Sequence, residues 1–536
     1  MTAEGSEQPW GRVLIAGGTD WPTNGQKNRA NAAVTDLLAP HILRSICHVK
    51  VTKIIAGSNA NYAVALDVHG VAHLFGKLPT GGLGPTGSKG NVPHDQPLHI
   101  APHSAGLAQD ARWVDGSVGR SHFFLIDNEG SVWGCGNNVA GQLGLPISPE
   151  EPKLVQIKGP WVSQGAKIVQ VSTGLTFSLF LTDSGQVYAA GSSEFGQLGN
   201  GTTGERLVKA GRMSYEVQTP PRQITEGLGS KKVIQISSGS QHSLALDDEG
   251  NVWTWGHAGY ARLGLGDTKD RLVPTVIPQY QAGNEKNRAV EVLCGPTSSI
   301  VIDRHRLFHI AGKWKLSGDG SAGTPHTYFK TIENLSCITT LAAVGGCTHF
   351  ITTPMEDGKT MTIGWGQGAL YGELAFGADK MKSSTKPQEI VPLRGIDVID
   401  VAAGSFFTLF LARPTDELSD LPRYPEHVES ADVCLVCNEF QGDDEVQLEC
   451  ERCDEPYHPG CLNPPLDGVP AGQWFCPVCE EESEKMGQPG TNSNGTEEVE
   501  DNLDVKEAEN SQRGESLKRK AGEDANVTPK KVRVPA

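Results

Sequence analysis

Cysteine and histidine residues at the spacing of metal ligands are concentrated between positions 434 and 479. They form four pairs, each with two intervening residues, and each pair can place two donors on one Zn²⁺ ion. A tetrahedral zinc site takes four ligands, so eight ligands predict two sites and two Zn²⁺ ions. A disulfide framework is the alternative, and it is disfavoured in a chain that does not look secreted. The ligands are Cys434, Cys437, Cys450, Cys453, His458, Cys461, Cys476 and Cys479.

The residues around these ligands are strongly acidic. Positions 426 to 482 hold fifteen Asp and Glu residues against one basic residue, Arg452. Such a surface repels phosphate backbones and attracts a cationic peptide. Acidic side chains also keep a small domain soluble, so charge alone leaves both interpretations open.

The end of the chain has a different composition. Between 480 and 515, twelve acidic and three basic residues occur with almost no apolar ones, which predicts disorder. Two basic clusters follow, separated by ten residues, which is the spacing of a bipartite nuclear import signal bound by an import receptor. A solvated basic tail is the alternative. The clusters contain Lys518, Arg519, Lys530, Lys531 and Arg533.

The composition of the whole chain limits its fold and class. Its 536 residues leave room for two to four domains, and 64 glycines favour tight turns and an all-β fold. A net charge of −17 argues against a general or sequence-specific nucleic-acid-binding surface. No apolar run approaches the roughly 18 residues that span a bilayer, and the first residues lack a signal-peptide pattern. We therefore expect no membrane association and no secretion.

A unit of apolar strands and tight turns occurs seven times before position 414. The glycine of its first turn recurs every 51 to 65 residues, near the spacing of a four-stranded propeller blade. The seventh unit lacks its closing strand, whereas RVLIAGG at 12 to 18 looks like a closing strand without a blade. We predict that these two ends pair and close the ring; a sandwich or a parallel β-helix would not explain the misplaced strand. The glycines are Gly57, Gly119, Gly174, Gly239, Gly295, Gly346 and Gly404.

The predicted domains follow from these patterns. They are a seven-bladed β-propeller over 12 to 413, a linker over 414 to 431, a small zinc-binding domain over 432 to 482 and a disordered tail over 483 to 536. His122, His242 and His349 each stand three residues after a turn glycine. We expect them to form turn or inter-blade hydrogen bonds rather than to act in catalysis.

Three repeats end in NNVAGQLGL (137 to 145), SEFGQLGNG (193 to 201) and HAGYARLGLG (257 to 266). With these motifs the chain from 12 to about 413 resembles the regulator of chromosome condensation repeat family of seven-bladed propellers. LIAGGTDW and GELAFGADKMKSSTKPQEI are most similar to its telophase-disc branch. The founding member is an exchange factor for a nuclear small GTPase and binds nucleosomes through a basic N-terminal arm. The arm MTAEGSEQPW is acidic here, and the insertion at 201 to 222 is either an exchange wedge or a solvated loop.

The ligand order of four cysteines, one histidine and three cysteines resembles the plant homeodomain (PHD) finger, and Trp474 stands where that family has its tryptophan. The resemblance implies a cross-brace: Cys434, Cys437, His458 and Cys461 bind one zinc ion, and Cys450, Cys453, Cys476 and Cys479 bind the other. It also implies that the finger binds the histone H3 tail as an added antiparallel strand. The positions of the methyl-lysine cage are occupied here by Asp432 or Val433 and by Pro456, so no aromatic cage is apparent.

The finger looks like the branch that prefers an unmodified fourth-residue lysine. Asp432 matches its carboxylate for the lysine ammonium, and Glu451 and Asp454 match its carboxylates for the second-residue arginine of the tail. Glu455 has no counterpart and is expected to be solvated. Glu449 departs from the branch, which usually has an apolar side chain there. The matching peptide strand and α-amino-binding turn are Val446, Gln447, Leu448 and Glu449, and Pro470, Ala471 and Gly472.

The function favoured by the sequence is that of a nuclear, chromatin-associated, zinc-binding protein that is not an enzyme. Its finger is expected to bind the unmodified H3 tail, while the propeller serves as a protein-interaction scaffold. Binding of another basic peptide and a purely structural finger remain open. The alternative from another class is a guanine nucleotide exchange factor for a small GTPase, in which the finger only targets the protein.

Overall fold

In the computed structural model the described residues run from 9 to 485, with gaps at 22–23, 25–35, 81–82, 84–90, 94–95, 209–210, 284, 314–323, 333–334, 336, 357, 368, 440–446 and 471. The predicted import signal at Lys518, Arg519, Lys530, Lys531 and Arg533 lies outside the described residues. No helix among the described residues is both long and apolar enough to cross a bilayer.

Seven antiparallel sheets form the blades of a propeller, as predicted. The N-terminal strands are β1 (Arg12–Gly17) and β2 (Leu37–Leu43). The first blade contains β3 (Val51–Ala56), β4 (Tyr62–Asp67), β5 (Ala72–Lys77), β6 (Asn91–Val92) and β7 (Leu98–Ile100). The second contains β8 (Trp113–Val118), β9 (His122–Asp127), β10 (Val132–Asn138) and β11 (Ser148–Ile157), and α1 (Pro160–Ser163) follows it. The third contains β12 (Ile168–Thr173), β13 (Phe177–Thr182), β14 (Val187–Ser192) and β17 (Val217–Gln223), with a separate hairpin of β15 (Arg206–Val208) and β16 (Arg212–Ser214) before its last strand.

The remaining blades repeat this order. The fourth contains β18 (Val233–Ser238), β19 (His242–Asp247), β20 (Val252–Gly256) and β21 (Arg271–Val276). The fifth contains β22 (Ala289–Cys294), β23 (Ser298–Asp303), β24 (Phe308–Gly312) and β25 (His326–Thr331). The sixth contains β26 (Leu341–Val344), β27 (Thr348–Pro354), β28 (Thr360–Gly366) and β29 (Ser384–Glu389). The seventh begins with β30 (Val398–Ala403) and β31 (Phe407–Ala412).

The seventh blade is built from both ends of the propeller, which confirms the predicted closure. β1 pairs antiparallel with β31 over six residues, from Arg12 opposite Ala412 to Gly17 opposite Phe407. β2 then pairs with the other edge of β1, so the N-terminal region supplies two strands of this blade rather than one. This pairing satisfies the backbone groups of β31 that would otherwise form an exposed sheet edge.

Close packing between blades explains the turn glycines and two of the three repeated histidines. A Cβ atom added to Gly57 would lie 1.8 Å from the carbonyl oxygen of Val118 in the next blade, so only glycine fits there. His122 and His242 make the expected inter-blade hydrogen bonds, through Nε2 to the hydroxyls of Ser178 (2.9 Å) and Ser299 (3.0 Å). The third histidine differs: the ring of His349 stacks on Trp365, with centroids 5.5 Å apart.

The segment from 414 to 431, predicted as a linker, is partly structured and belongs to the seventh blade. It contains α2 (Asp416–Ser419) and β32 (Arg423–Tyr424), and β32 pairs parallel with β2. The zinc-binding domain follows with β33 (Leu448–Glu449), β34 (Pro456–Tyr457) and α3 (Pro477–Lys485). α3 extends three residues beyond the predicted domain boundary at 482.

Ring closure predicts the effect of a core substitution in β1. Ile15 is fully buried, so Ile15→Ala should lower the free energy of unfolding by about 2–5 kcal/mol through lost burial and a cavity. The matched control is Ile234→Ala, because Ile234 is 52% exposed on a strand of the fourth blade and its replacement should cost less than about 0.5 kcal/mol. Urea denaturation followed by tryptophan fluorescence measures both, and equal losses would contradict the role of β1.

Candidate metal centre and peptide-binding face

Two clusters of four ligand atoms form in the finger, and both have the predicted cross-brace composition. Within each cluster the ligand atoms all lie within 4.8 Å of one another. The clusters interleave along the chain, because the first and third ligand pairs share one site and the second and fourth share the other. The first cluster is Cys434, Cys437, His458 and Cys461, and the second is Cys450, Cys453, Cys476 and Cys479.

The distances within the clusters fit zinc. Tetrahedral Zn²⁺ with Zn–S bonds of about 2.3 Å places its sulfur ligands about 3.8 Å apart. In the second cluster, Cys479 Sγ lies 3.8 Å from Cys450 Sγ and 3.8 Å from Cys453 Sγ. In the first, His458 Nδ1 lies 3.4 Å from Cys437 Sγ and 3.7 Å from Cys461 Sγ, as a shorter Zn–N bond requires. These residues therefore hold two Zn²⁺ ions, which fasten the chain segments of the finger together.

The backbone conformation beside the cysteine pairs helps to position the zinc ligands. The residue after the second cysteine has a positive φ in two of the three Cys-x2-Cys pairs, 56° at Asn438 and 55° at Asp454. Asn and Asp tolerate this left-handed conformation better than most residues. The turn brings Asp454 N to the carbonyl oxygen of Cys450 (2.9 Å), and Cys476 N points at Cys450 Sγ (3.3 Å). The turn after each of these two pairs thus bends the chain around its metal.

The finger is docked on the propeller through apolar contacts. Its buried side chains Leu448, Tyr457 and Phe475 belong to the same apolar cluster as Ile42 and Cys47 of the N-terminal region. This shared core explains how a domain with little apolar interior of its own gains stability beyond its zinc ions.

Arg12, at the start of β1, links the propeller to the finger. Its guanidinium lies over the Phe475 ring, 5.1 Å from the centroid, and Nε donates to Gln473 Oε1 (3.1 Å). Nη1 donates to the carbonyl oxygen of Val49 (2.9 Å). Burial lowers the pKa of Arg12 to about 10, so the side chain is still charged at neutral pH.

Arg44 follows β2 directly and is the most extensively bonded side chain of this junction. Its guanidinium donates to the carbonyl oxygens of Pro425 (3.0 Å) and Glu426 (3.1 Å). It also donates to the carbonyl oxygen of Arg452 (3.3 Å) and forms an ion pair with Asp454, with Nη1 and Oδ1 2.5 Å apart. Because the Arg44 side chain is only 5% exposed, these contacts replace its hydration.

Glu451 lies beside Arg44 and faces another arginine of the same chain. Its carboxylate is 11% exposed and pairs with Arg423 of β32, with Nη2 and Oε2 3.4 Å apart. Burial raises the pKa of Glu451, and the charge of nearby Arg423 opposes that rise. The two carboxylates predicted to receive a peptide arginine therefore both contact arginines of this chain.

The other predicted peptide-binding residues are divided between exposed and covered positions. Asp432, Glu449 and Gly472 are exposed, Gln447 and Pro470 are half-buried, and Leu448 is buried. Val446 and Ala471 lie outside the described residues. β33 pairs with β34, and no second strand partner for β33 occurs in the described part of the chain.

The expectation that Glu455 is solvated is wrong. It is only partly exposed, and its Oε2 accepts a hydrogen bond from the backbone N–H of Ala431 (3.1 Å) in the segment that joins the propeller to the finger. Sequence reasoning also missed Arg12, Arg44 and Arg423. Arg12 and Arg423 are the first residues of β1 and β32, and Arg44 directly follows β2. Basic residues are common at exposed strand ends, so no local signal identifies these three.

Comparison with known protein families identifies both the propeller and the finger. The RCC1-like domain family matches residues 12–410, and the PHD-finger family matches residues 434–479. The chain belongs to the RCC1-like domain family.

Similar proteins share the propeller. "Protein RCC2 homolog" of Xenopus laevis is 29% identical over 445 residues, covering 78% of this chain and 82% of the relative. "Protein RCC2" of Homo sapiens is 28% identical over 437 residues, covering 77% of this chain and 79% of the relative. The crystal structure of Prp20p from Saccharomyces cerevisiae is 18% identical with a TM-score of 0.58, covering 77% of this chain and 94% of that structure, and this likeness shows the fold.

The zinc sites predict a defined loss of metal on substitution. Cys450→Ser should lower the zinc content below two ions per chain and destabilise the finger, because three remaining ligands do not close a tetrahedral site and the two sites interleave. Cys337→Ser is the control, since Cys337 lies outside both clusters and is only partly buried. Atomic absorption of the purified chains measures both, and two ions retained in Cys450→Ser would refute the assignment.

Proposed function

We propose that this protein is a nuclear, chromatin-associated protein whose PHD finger binds the N-terminal tail of histone H3 with an unmodified fourth-residue lysine, while its propeller serves as a protein-interaction scaffold. The observation that carries the proposal is the open edge of β33, which has no second strand partner among the described residues. An extended peptide can add to such an edge through backbone hydrogen bonds.

The negative charge of the finger favours binding of a cationic peptide. Fifteen acidic residues stand against one basic residue between 426 and 482, and that basic residue, Arg452, pairs with Glu482. Exposed Asp432 leaves a carboxylate available to a lysine ammonium. A carboxylate that accepts N–H hydrogen bonds loses them when methyl groups replace the protons, so this chemistry favours the unmodified lysine.

Two further observations support a role at chromatin. The structure of Prp20p was reported together with its binding properties to Gsp1p and histones, and the propeller of this chain has the same fold. The basic clusters at Lys518 and Arg519 and at 530 to 533 have the spacing of an import signal. We infer that an import receptor carries the protein to the nucleus.

The lysine preference is testable with the full chain and two tail peptides, one unmodified and one trimethylated at the fourth-residue lysine. We expect about tenfold or greater preference for the unmodified peptide in calorimetry, because charge-assisted hydrogen bonds are lost on methylation. Asp432→Asn should abolish the preference, whereas Asp467→Asn, an exposed acid elsewhere in the finger, should retain it. Equal affinity of the wild type for both peptides would contradict the assignment of Asp432.

A second candidate function is guanine nucleotide exchange, and the hairpin of β15 and β16 favours it. Leu207 is 71% exposed and Met213 is 43% exposed on this hairpin, next to the basic side chains of Arg206 and Arg212. Neighbouring exposed apolar side chains are typical of a protein-interaction site. The hairpin is therefore a candidate for the wedge that the insertion at 201 to 222 suggested.

Nucleotide release from a nuclear small GTPase separates the two functions. If the propeller is only a scaffold, the full chain leaves the rate of release of a fluorescent nucleotide unchanged. Acceleration by the wild type that is lost in Leu207→Asp, but kept in Ile338→Asp, would establish exchange instead. Ile338 is the control because it is 52% exposed and lies outside the hairpin.

A further inference from the structure

Arginine side chains of this chain already occupy the carboxylates that the proposed function assigns to a peptide arginine. We propose that Arg44 and Arg423 act as an intramolecular ligand for Asp454 and Glu451, so that docking of the finger on the propeller inhibits binding of the histone tail. The proposal rests on the proposed function, because it concerns the same face of the finger.

Arg44 satisfies the chemistry that a peptide arginine would need. An arginine bound to a protein requires a carboxylate and further acceptors for its fork of N–H donors. Arg44 has both, since Asp454 Oδ1 lies 2.5 Å from Nη1 and the carbonyl oxygens of Pro425, Glu426 and Arg452 accept three further hydrogen bonds. A second guanidinium at Asp454 would have to displace it.

The carboxylate of Glu451 is likewise occupied by an arginine of this chain. With 11% exposure and Arg423 at 3.4 Å, its carboxylate has little surface left for an external side chain. The backbone around it is also covered, because Cys47 Sγ lies 3.9 Å from the Glu451 carbonyl oxygen and Arg44 Nη1 lies 3.5 Å from it. The arginine end of the predicted binding face is thus occupied by the propeller and its flanking segment.

The lysine end of the same face is open. Asp432, the carboxylate assigned to the lysine ammonium, is exposed. A tail can therefore contact the docked finger through its lysine, but it gains its arginine contacts only when the arginines of this chain leave. Its apparent affinity is then reduced by the fraction of chains in which the carboxylates are free.

Contacts that do not involve the two carboxylates hold the docked state. Arg12 packs on Phe475 and donates to Gln473, and the hydroxyl of Ser483 in α3 donates to the carbonyl oxygen of His48 (3.4 Å). Loss of Arg44 and Arg423 should therefore free the carboxylates without releasing all of the apolar interface. The inhibition is separable from the folding of the finger.

The test compares tail binding by the full chain and by Arg44→Ala/Arg423→Ala. The matched control is Arg271→Ala, which removes an arginine paired with Asp267 (2.9 Å) in the fourth blade, away from the finger. The probes are the unmodified H3 tail peptide and the same peptide with alanine in place of its second-residue arginine. Fluorescence anisotropy gives the affinities, and zinc content of two ions per chain verifies an intact finger.

We expect the double variant to bind the unmodified peptide at least tenfold more tightly than the wild type does, and Arg271→Ala to match the wild type. The alanine peptide should bind wild type and double variant equally, because the gain depends on the peptide arginine meeting Asp454 and Glu451. Affinities within twofold for wild type and double variant with the unmodified peptide would overturn the proposal.

Arg423→Ala alone is the second variant, in case the double variant fails to fold. The side chain of Arg423 is 30% exposed and pairs with Glu451. Its removal therefore leaves the hydrogen bonds of Arg44 in place. A threefold or greater gain in affinity for the unmodified peptide supports the proposal. If a folded, zinc-loaded Arg423→Ala chain shows no gain in affinity, the proposed inhibition through Glu451 is overturned.

Hydrogen exchange distinguishes failure of this proposal from failure of the proposed function. If no variant binds either peptide, histone-tail binding is refuted. The intramolecular contact is then tested by hydrogen exchange of the chain without peptide. Amides 449 to 455 should exchange faster in Arg44→Ala/Arg423→Ala than in the wild type or Arg271→Ala. Unchanged exchange in this segment would overturn the intramolecular contact itself.

Discussion

The pairing of β1 with β31 closes the propeller and determines where the elements around the seventh blade lie. It joins the two ends of the propeller over six residues and fixes β1 in the middle of the seventh blade, between β31 and β2. An antiparallel pair has a set register, so it also fixes where the residues beside these strands lie. Arg12 at the start of β1 and Arg44 just after β2 are thereby held at one edge of the ring.

That edge is where the finger docks. β32 extends the seventh blade by pairing with β2, and it carries Arg423 beside Arg44. Buried arginines are costly unless acceptors replace their hydration, and the finger and the preceding segment supply those acceptors as carbonyl oxygens and carboxylates. The acidic finger and a basic edge of the propeller thus stabilise each other in a chain whose net charge is −17.

Much of the architecture was predictable because its signals are local. Repeated glycines and apolar strands recur with the spacing of a blade, and the cysteine and histidine pairs have the spacing that zinc requires. The unpaired RVLIAGG strand indicated the closure, although not that β2 would join it. The structured part of 414 to 431 was missed, since β32 has only two residues and forms through its partner β2 rather than through its own sequence.

The propeller, the two zinc sites and the acidic character of the finger can be predicted from the sequence alone, because each follows from residue types at short, repeated spacings. The contacts of Glu451 and Asp454 depend instead on how the chain folds. Their partners, Arg423 and Arg44, are 28 and 410 residues away along the chain, and no local pattern relates such positions. Ring closure brings them together, and it thereby turns a face that looked open to a peptide into one already bound to its own chain.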